Sequence, residues 1–333
     1  MIRFKRRALL GAGTLAMSGL MMERPARAES SWRPSQTVRI VIPAAAGGTT
    51  DIMGRLLAPH LQQRWGQPAV VENKSGAGGT LGAAEVMRAK PDGHTVLISN
   101  IGPQAIAYSL FNNLPYKPED FIPVSNMIQG PNVLMVHPSL PVKTVPEFIR
   151  YLKERPGKLN YSTSGPGQSP HLAGVWFHQL TGTQATAIHY RGAGPAMTAM
   201  MAGDVDFGFD NLTSSVGQIK DGRVRALGVT SADRSFQMPE LPALRETLPD
   251  LAEYDVNTWF GAFYPAGTPR AAVEALNAEI KALLDLPATK QRFAEMGGVP
   301  AYGTPEEYAA FVRAETEKWG GVVRKEGLTM DLG

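Results

Sequence analysis

Between residues 38 and 57 the polarity pattern changes period. Val38 to Ile42 is a short apolar, β-branched run stopped by Pro43, which predicts a buried strand. Apolar positions then recur at helical spacing, with Ile52, Leu56, Leu57 and Leu61 on one face. Between the two lies Ala44-Ala45-Ala46-Gly47-Gly48, a loop whose small residues let backbone approach a ligand closely. Thr49, Thr50 and Asp51 are expected to supply the cap and first-turn oxygens of the helix. A strand, a glycine loop and a helix N-terminus in that order aim N–H groups and the positive end of a dipole at one point.

The same change of period recurs three times. Residues 70–72 lead into 73–80, which holds Asn73 and Gly78, and then a helix through Ala84, Val86 and Met87. Residues 159–161 lead into 162–167, with Ser164 and Gly165, and then a helix capped by Ser169 with Pro170 at its first position and His171 in its first turn. Residues 187–189 lead into Tyr190-Arg191-Gly192-Ala193-Gly194, with Pro195 opening the next helix. Two loops fall in the first third of the chain and two past the middle, so two halves aim helix N-termini at a common cleft suited to an anion.

Further strands are predicted at 94–98, ending at Ser99-Asn100, at 132–136, at 205–210, ending at Asp210, and at 224–230 and 257–263. Helices are predicted at 103–110, at 145–153 with Thr144 as cap, at 269–284, at 287–296, and from Thr304 through Phe311 and Trp319. Strands 132–136 and 257–263 are expected to be the crossings between lobes. That gives a first lobe of 29–131 and 264–333 and a second of 137–256.

The 333 residues suit two domains, and the formal charge of +3 misleads. Six basic residues against Glu23 leave the first 28 residues at +5 and the remainder at −2, which removes the case for nucleic acid. That segment reads as an export signal: Arg6-Arg7, a glycine-bearing apolar stretch from Ala8 to Met22, and an Ala26-Arg27-Ala28 cleavage site. The arginine pair resembles a Tat signal. A mature chain beginning near Glu29 in the periplasm is expected. With no cysteine there is no disulfide, thiolate metal site or lipid anchor.

Catalytic motifs are few. Gly76-Ala77-Gly78-Gly79-Thr80-Leu81-Gly82 approaches a dinucleotide loop but puts Leu81 where the third glycine belongs. No phosphate-loop G-K-[ST], H-E-x-x-H or G-x-S-x-G occurs, and the six histidines do not cluster as metal ligands. Ser164 or Ser169 with His171 could form a nucleophile pair, yet no orienting acid stands at a recognisable spacing. No cofactor, no metal and no enzymatic activity are expected. Arg191 is the cation inside a glycine loop, able to pair with a carboxylate or to stay solvated.

The runs VRIVIPAAAGGTTDIMGRLLAPHLQQRWGQPAVVENKSGAGGTLGA, YSTSGPGQSPHLAG, HYRGAGPAMTAMMAGDVDFGFD, VRALGVTSADRS and FYPAGTPRAAVEALNAEI resemble the Bug-type (TctC-like) periplasmic receptors of tripartite tricarboxylate transporters. The resemblance implies an α/β, two-lobed Venus-flytrap fold of the periplasmic-binding-protein type with two crossing hinge strands. It implies a monomer that closes on a small organic carboxylate and delivers it to an integral-membrane permease. A ligand-presenting sensor for a two-component membrane kinase is the alternative. Carried over by position, the first lobe would offer Ala46, Gly47, Gly48, Thr49, Asp51, Asn73, Gly78, Ser99 and Asn100. The second would offer Ser164, Gly165, Ser169, His171, Tyr190, Arg191, Gly192, Pro195 and Asp210. Ala44-Ala45 stands where the family usually has Phe-Pro, and Ser75 where it often has Pro. Losing an aromatic there leaves room for a bulky or aromatic acid.

Overall fold

The computed structural model describes residues 32–325 and 327–332. The export signal expected at 1–28 lies outside the described residues. The chain opens with β1 (Val38–Ile42), α1 (Thr49–Trp65), β2 (Ala69–Asn73), α2 (Thr80–Met87) and β3 (Thr95–Asn100). A π-helical segment, Gly102–Ile106, runs into α3 (Ala107–Leu110), and β4 (Phe121–Val136) follows. Next come α4 (Val145–Lys153), β5 (Asn160–Thr163), α5 (Ser169–Thr181), β6 (Thr186–His189), α6 (Ala193–Ala202), β7 (Phe207–Asn211), α7 (Leu212–Lys220) and β8 (Arg225–Val229). The chain ends through β9 (Asn257–Pro265), α8 (Arg270–Asp285), α9 (Pro287–Met296), β10 (Val299–Pro300) and α10 (Pro305–Lys325).

The strands follow the order β2-β1-β3-β9-β4-β7-β5-β6, with β10 and β8 also on β4. β4 belongs to both lobes. Its residues 121–131 pair antiparallel with β9, and its residues 132–136 pair antiparallel with β7 and β8. The chain therefore passes between lobes at Pro131–Asn132 and returns at Val256–Asn257, where the Val256 N–H donates to the Thr230 carbonyl and Asn257 pairs with Pro131. This corrects the expected crossings. Residues 132–136 lie wholly in the second lobe's sheet and 257–263 wholly in the first, because each finds a full set of ladder partners there.

Parallel pairs β1–β2 and β1–β3 in the first lobe, and β5–β6 and β5–β7 in the second, are joined by crossover helices. Such connections place every helix start at the carboxyl ends of the parallel strands, where open α/β sheets bind ligands. One face of the first sheet packs Ile40, Ile42 and Ile98 against Leu57 and Leu61 of α1 and Leu276 and Ile280 of α8. A second cluster runs from Val41, Leu97 and Trp319 in the first lobe to Phe148, Phe177 and Phe207 in the second. Trp259 and Phe177 are in that core, at 2% and 0% exposure.

Two elements were not anticipated. Residues 121–131 contain Pro123, Gly130 and Pro131, which disfavour a strand, yet they form the first part of the longest strand, with register shifts beside Pro123 and after Asn126. α7 is built from Leu-Thr-Ser-Ser-Val-Gly-Gln-Ile-Lys, whose Thr-Ser-Ser-Val-Gly middle is poor in helix formers and is held in place by tertiary packing.

Candidate functional site

Five helices, α1, α2, α5, α6 and α7, start at one cavity of about 490 Å³ between the lobes. Their N-cap residues are Gly48, Gly79, Gln168, Gly192 and Asn211, and no cap side chain bonds back to its helix. Helix α4 differs, with Thr144 accepting from the Glu147 N–H, and so does α10, where Thr304 and Glu307 exchange bonds. α8 and α9 also lack side-chain caps, so the missing cap alone does not mark the cleft. The convergence does. First-turn N–H groups of several helices face one volume, a ready site for an anion.

The structure corrects three helix starts. Gln168, not Ser169, caps α5; Gly48, not a threonine, caps α1; and α6 opens at Ala193, two residues before Pro195. Ser169 sits inside the first turn, where its hydroxyl donates to Asn132 Oδ1. Backbone geometry explains the glycines: Gly47 (φ 92°), Gly78 (63°), Gly165 (138°) and Gly192 (150°) adopt conformations that side chains resist. Ala77 reaches φ 45° despite its Cβ, so the cavity wall it forms carries local strain.

The lobes meet across the cavity. The Ala45 N–H donates to the Arg191 carbonyl at 2.9 Å, and a Cβ at Gly78 or Gly194 would overlap the Pro166 or Ala46 carbonyl oxygen. Gln168 donates from Nε2 to the Gly78 carbonyl at 2.6 Å and accepts at Oε1 from Asn100 Nδ2 at 2.9 Å. Thr49 and Thr213 join hydroxyls.

Of the residues named from sequence, Gly48, Thr49, Gly78, Asn100, Ser164, Tyr190, Arg191 and Gly192 line the cavity. The others stand behind or beside it. Asp51 accepts from the Gly47 N–H, Arg55 and Asn73, and Asn73 also donates to the Ala44 carbonyl, so this pair shapes the first loop. Ala46 and Gly47 are exposed at the rim, Gly165 packs on Gly78, and Pro195 lies in α6. Ser99 is fully buried with its hydroxyl unpaired. His171 and Asp210 are buried beneath the loops. Sequence reasoning missed Gln168, His189 and Asn211, which also line the cavity. Gln168 carried a signal, as the polar residue directly before a proline-marked helix start.

No acidic side chain lines the cavity, and Arg191 is its one lysine or arginine, exposed and without an ion pair among the described residues. Burial alone would raise the Asp51 carboxyl, but the bonds from Arg55, Asn73 and Gly47 outweigh it and hold it below the ordinary range. Burial, with His189 adding to it, lowers the His171 ring to about 4, so it is neutral, and its Nδ1 accepts the Gly167 N–H at 3.2 Å. Ser169 and His171 thus look to different partners. Burial raises Asp210 to about 7, against bonds from the Asn211 N–H and Ser215.

Residues 53–328 match the model of the tripartite tricarboxylate transporter family receptor. The chain belongs to this family. BugT of Bordetella pertussis is similar at 34% identity over 296 residues, 88% of this chain and 90% of that one. The Rhodopseudomonas palustris protein Rpa4515, solved with adipate, is similar at 33% identity and a TM-score of 0.86, covering 89% of this chain and 99% of that one. MatC of the same organism, solved with bound malate, gives 33% identity and 0.82, covering 87% and 99%. The receptor therefore has the α/β periplasmic-binding-protein fold and the role of a transport receptor. Among its described residues no helix is long and apolar enough to cross a membrane.

Proposed function

We propose that this receptor captures an organic acid with a sizeable apolar body and delivers it to the membrane permease of a tripartite transporter. The observation that carries this is the cavity itself: five helix starts and Arg191 face a space that no carboxylate side chain among the described residues lines. A ligand carboxylate sits at the first-turn amides, where fixed dipoles replace its hydration at little reorganisation cost. Ala44, Ala77, Leu81, Pro166 and Tyr190 form the apolar wall, with Leu81 59% exposed. A volume of 490 Å³ falls in the range of roughly 300–1,000 Å³ that takes drug-sized ligands, larger than malate. Relatives solved with adipate and malate support the carboxylate class. We extend the reading to export with cleavage near Ala28 and to action as a monomer in the periplasm.

The test is a thermal-shift screen of the protein against aliphatic mono-, di- and tricarboxylates, acidic amino acids and aromatic acids. A ligand at about 1,000 times its Kd adds about 4 kcal/mol to stability, a shift of several degrees. Hits among bulky or aromatic acids are expected. Hits confined to small acids discard the size argument, and no hit in the panel discards the carboxylate.

A further inference from the structure

Closing two lobes on a ligand needs contacts that exist only in the closed state, since a ligand shifts the balance only through differences between states. Much of the contact across this cavity is backbone against backbone. Gln168 is different. It is carried by the second lobe at the start of α5, is 6% exposed, and has its carboxamide inside the first lobe.

The receptacle is specific to that side chain. Gly78 presents its carbonyl oxygen to Nε2, and Asn100 presents Nδ2 to Oε1, so both ends of the carboxamide are satisfied. Asn100 is held in that orientation because its Oδ1 accepts the Gly102 N–H. At Gly102, where the π-helical segment begins, a Cβ would overlap the Gln168 carboxamide, and one at Gly79 would touch it. Two glycines therefore leave the space that the glutamine fills. The side chain takes no part in capping its own helix; its backbone carbonyl does that, accepting from His171 and Leu172. Nothing local to α5 requires a glutamine here.

We propose that Gln168 is the latch of the receptor, a positioning residue whose carboxamide docks between Gly78 and Asn100 and sets how far closure contributes to ligand affinity. In the open form the Gly78 carbonyl and Asn100 amide face water. On closure Gln168 takes both, and Asn100, which lines the cavity, is fixed against the ligand. This inference rests on the receptor reading, and its test works without any ligand.

The chain has no cysteine, so a pair introduced across the cleft reports closure alone. Thr49→Cys with Thr213→Cys suits this, because the hydroxyls they replace are already in contact across the lobes. The rate of disulfide trapping in the ligand-free protein follows the closed population, however small. Gln168→Met keeps the volume and removes both hydrogen bonds; Gln168→Glu puts a carboxylate against the Gly78 carbonyl. Two bonds of ordinary net worth predict trapping slowed about tenfold or more by Gln168→Met, and further by Gln168→Glu. Melting of the same variants without the cysteine pair is expected to match the parent, since the bonds are absent from the open form. Equal trapping rates in all three proteins overturn the latch. So does slower trapping matched by an equal loss of overall stability. A receptor that binds acids while trapping ignores residue 168 loses the latch and keeps its function. Trapping that depends on residue 168 with no acid bound at all keeps the latch and loses the function.

Discussion

Thr49 Oγ1 and Thr213 Oγ1 lie 2.5 Å apart, one opening α1 in the first lobe and the other in the first turn of α7 in the second. Both are buried, at 1% and 3% exposure. In the closed form each hydroxyl is the other's partner, so removing one leaves the other unpaired only when the lobes meet. Thr213→Val therefore taxes closure rather than folding. Affinity for the tightest acid of the screen is expected to fall about 5- to 10-fold, or about 1 kcal/mol, by titration calorimetry. The ligand-free melting midpoint should move by less than about 2 °C. A large drop in that midpoint with unchanged affinity would show the pair to be structural.

Arg191 is the cation on the cavity wall, and its carbonyl is held by the Ala45 N–H when the lobes meet. Closure thus fixes its backbone while the guanidinium keeps no protein partner among the described residues. Arg191→Gln should weaken binding of a dicarboxylate by roughly 10- to 100-fold, the worth of a charge-assisted bond, and of a monocarboxylate less. Salt dependence of affinity should flatten with it. Equal losses for both classes would place the guanidinium on the rim instead.

How much of this was legible in the chain depends on whether the cause is local. Val38–Ile42, its glycine loop and α1 announce themselves, because strand periodicity, small residues and helical spacing follow one another without interruption. The cavity glycines were legible for the same reason. The first half of β4 was not. Pro123, Gly130 and Pro131 argue against a strand, and the partner that overrules them, β9, lies more than a hundred residues away in the chain. α7 was hidden by Thr213, Ser214, Ser215 and Gly217, which favour no helix on their own. Among site residues, Asn73 at the end of β2 and Asp51 in the first turn of α1 turn toward each other, and Asn211 and Gln168 reach the cavity only through the fold.

Asp210, the last residue but one of β7, is buried and its carboxyl is raised from 3.8 to about 7, burial being the main cause. The folded form holds this proton more tightly than the unfolded chain does. Its contribution to stability is therefore complete below about pH 4 and is lost as pH rises to about 7. Asp210→Asn keeps an acceptor for the Asn211 N–H and turns an amide donor toward the Ser215 hydroxyl, which already donates to the Asn211 carbonyl, without the charge. Thermal melts should show the variant gaining several degrees on the parent at pH 8 and little at pH 4.5. A gain that does not grow with pH would count against a buried charge at this position.

His171 moves the other way. Burial, then His189, brings its ring from 6.5 down to about 4, so its stabilising contribution is present above pH 6.5 and is lost as pH falls toward 4. Protonation also removes the Nδ1 acceptor from the Gly167 N–H and loosens the loop before α5. His178 is lowered to about 4 by burial and adds to the same window. Melting midpoints should decline between pH 6.5 and 4.5, and His171→Asn should decline less steeply than the parent. Parallel curves would assign the acid loss to the other buried rings, His178 and His189, which burial also lowers.

Ala44 is expected to set the size of the acid that the cavity admits. It lies on the cavity wall directly after Pro43, half-buried, with its carbonyl fixed by Asn73. That backbone bond leaves the side chain free to vary without disturbing the loop, so a larger residue here subtracts from the cavity rather than from the fold. Ala44→Phe adds an aromatic ring against a wall that already holds Leu81 and Tyr190. Bulky or aromatic acids found in the screen should lose about 1–3 kcal/mol of affinity through overpacking, while small dicarboxylates keep theirs. Titration of the parent and Ala44→Phe with one acid of each size measures the difference. Unchanged affinity for the bulky acid would mean that its body lies elsewhere in the cleft, and the link between this alanine and ligand size would be lost.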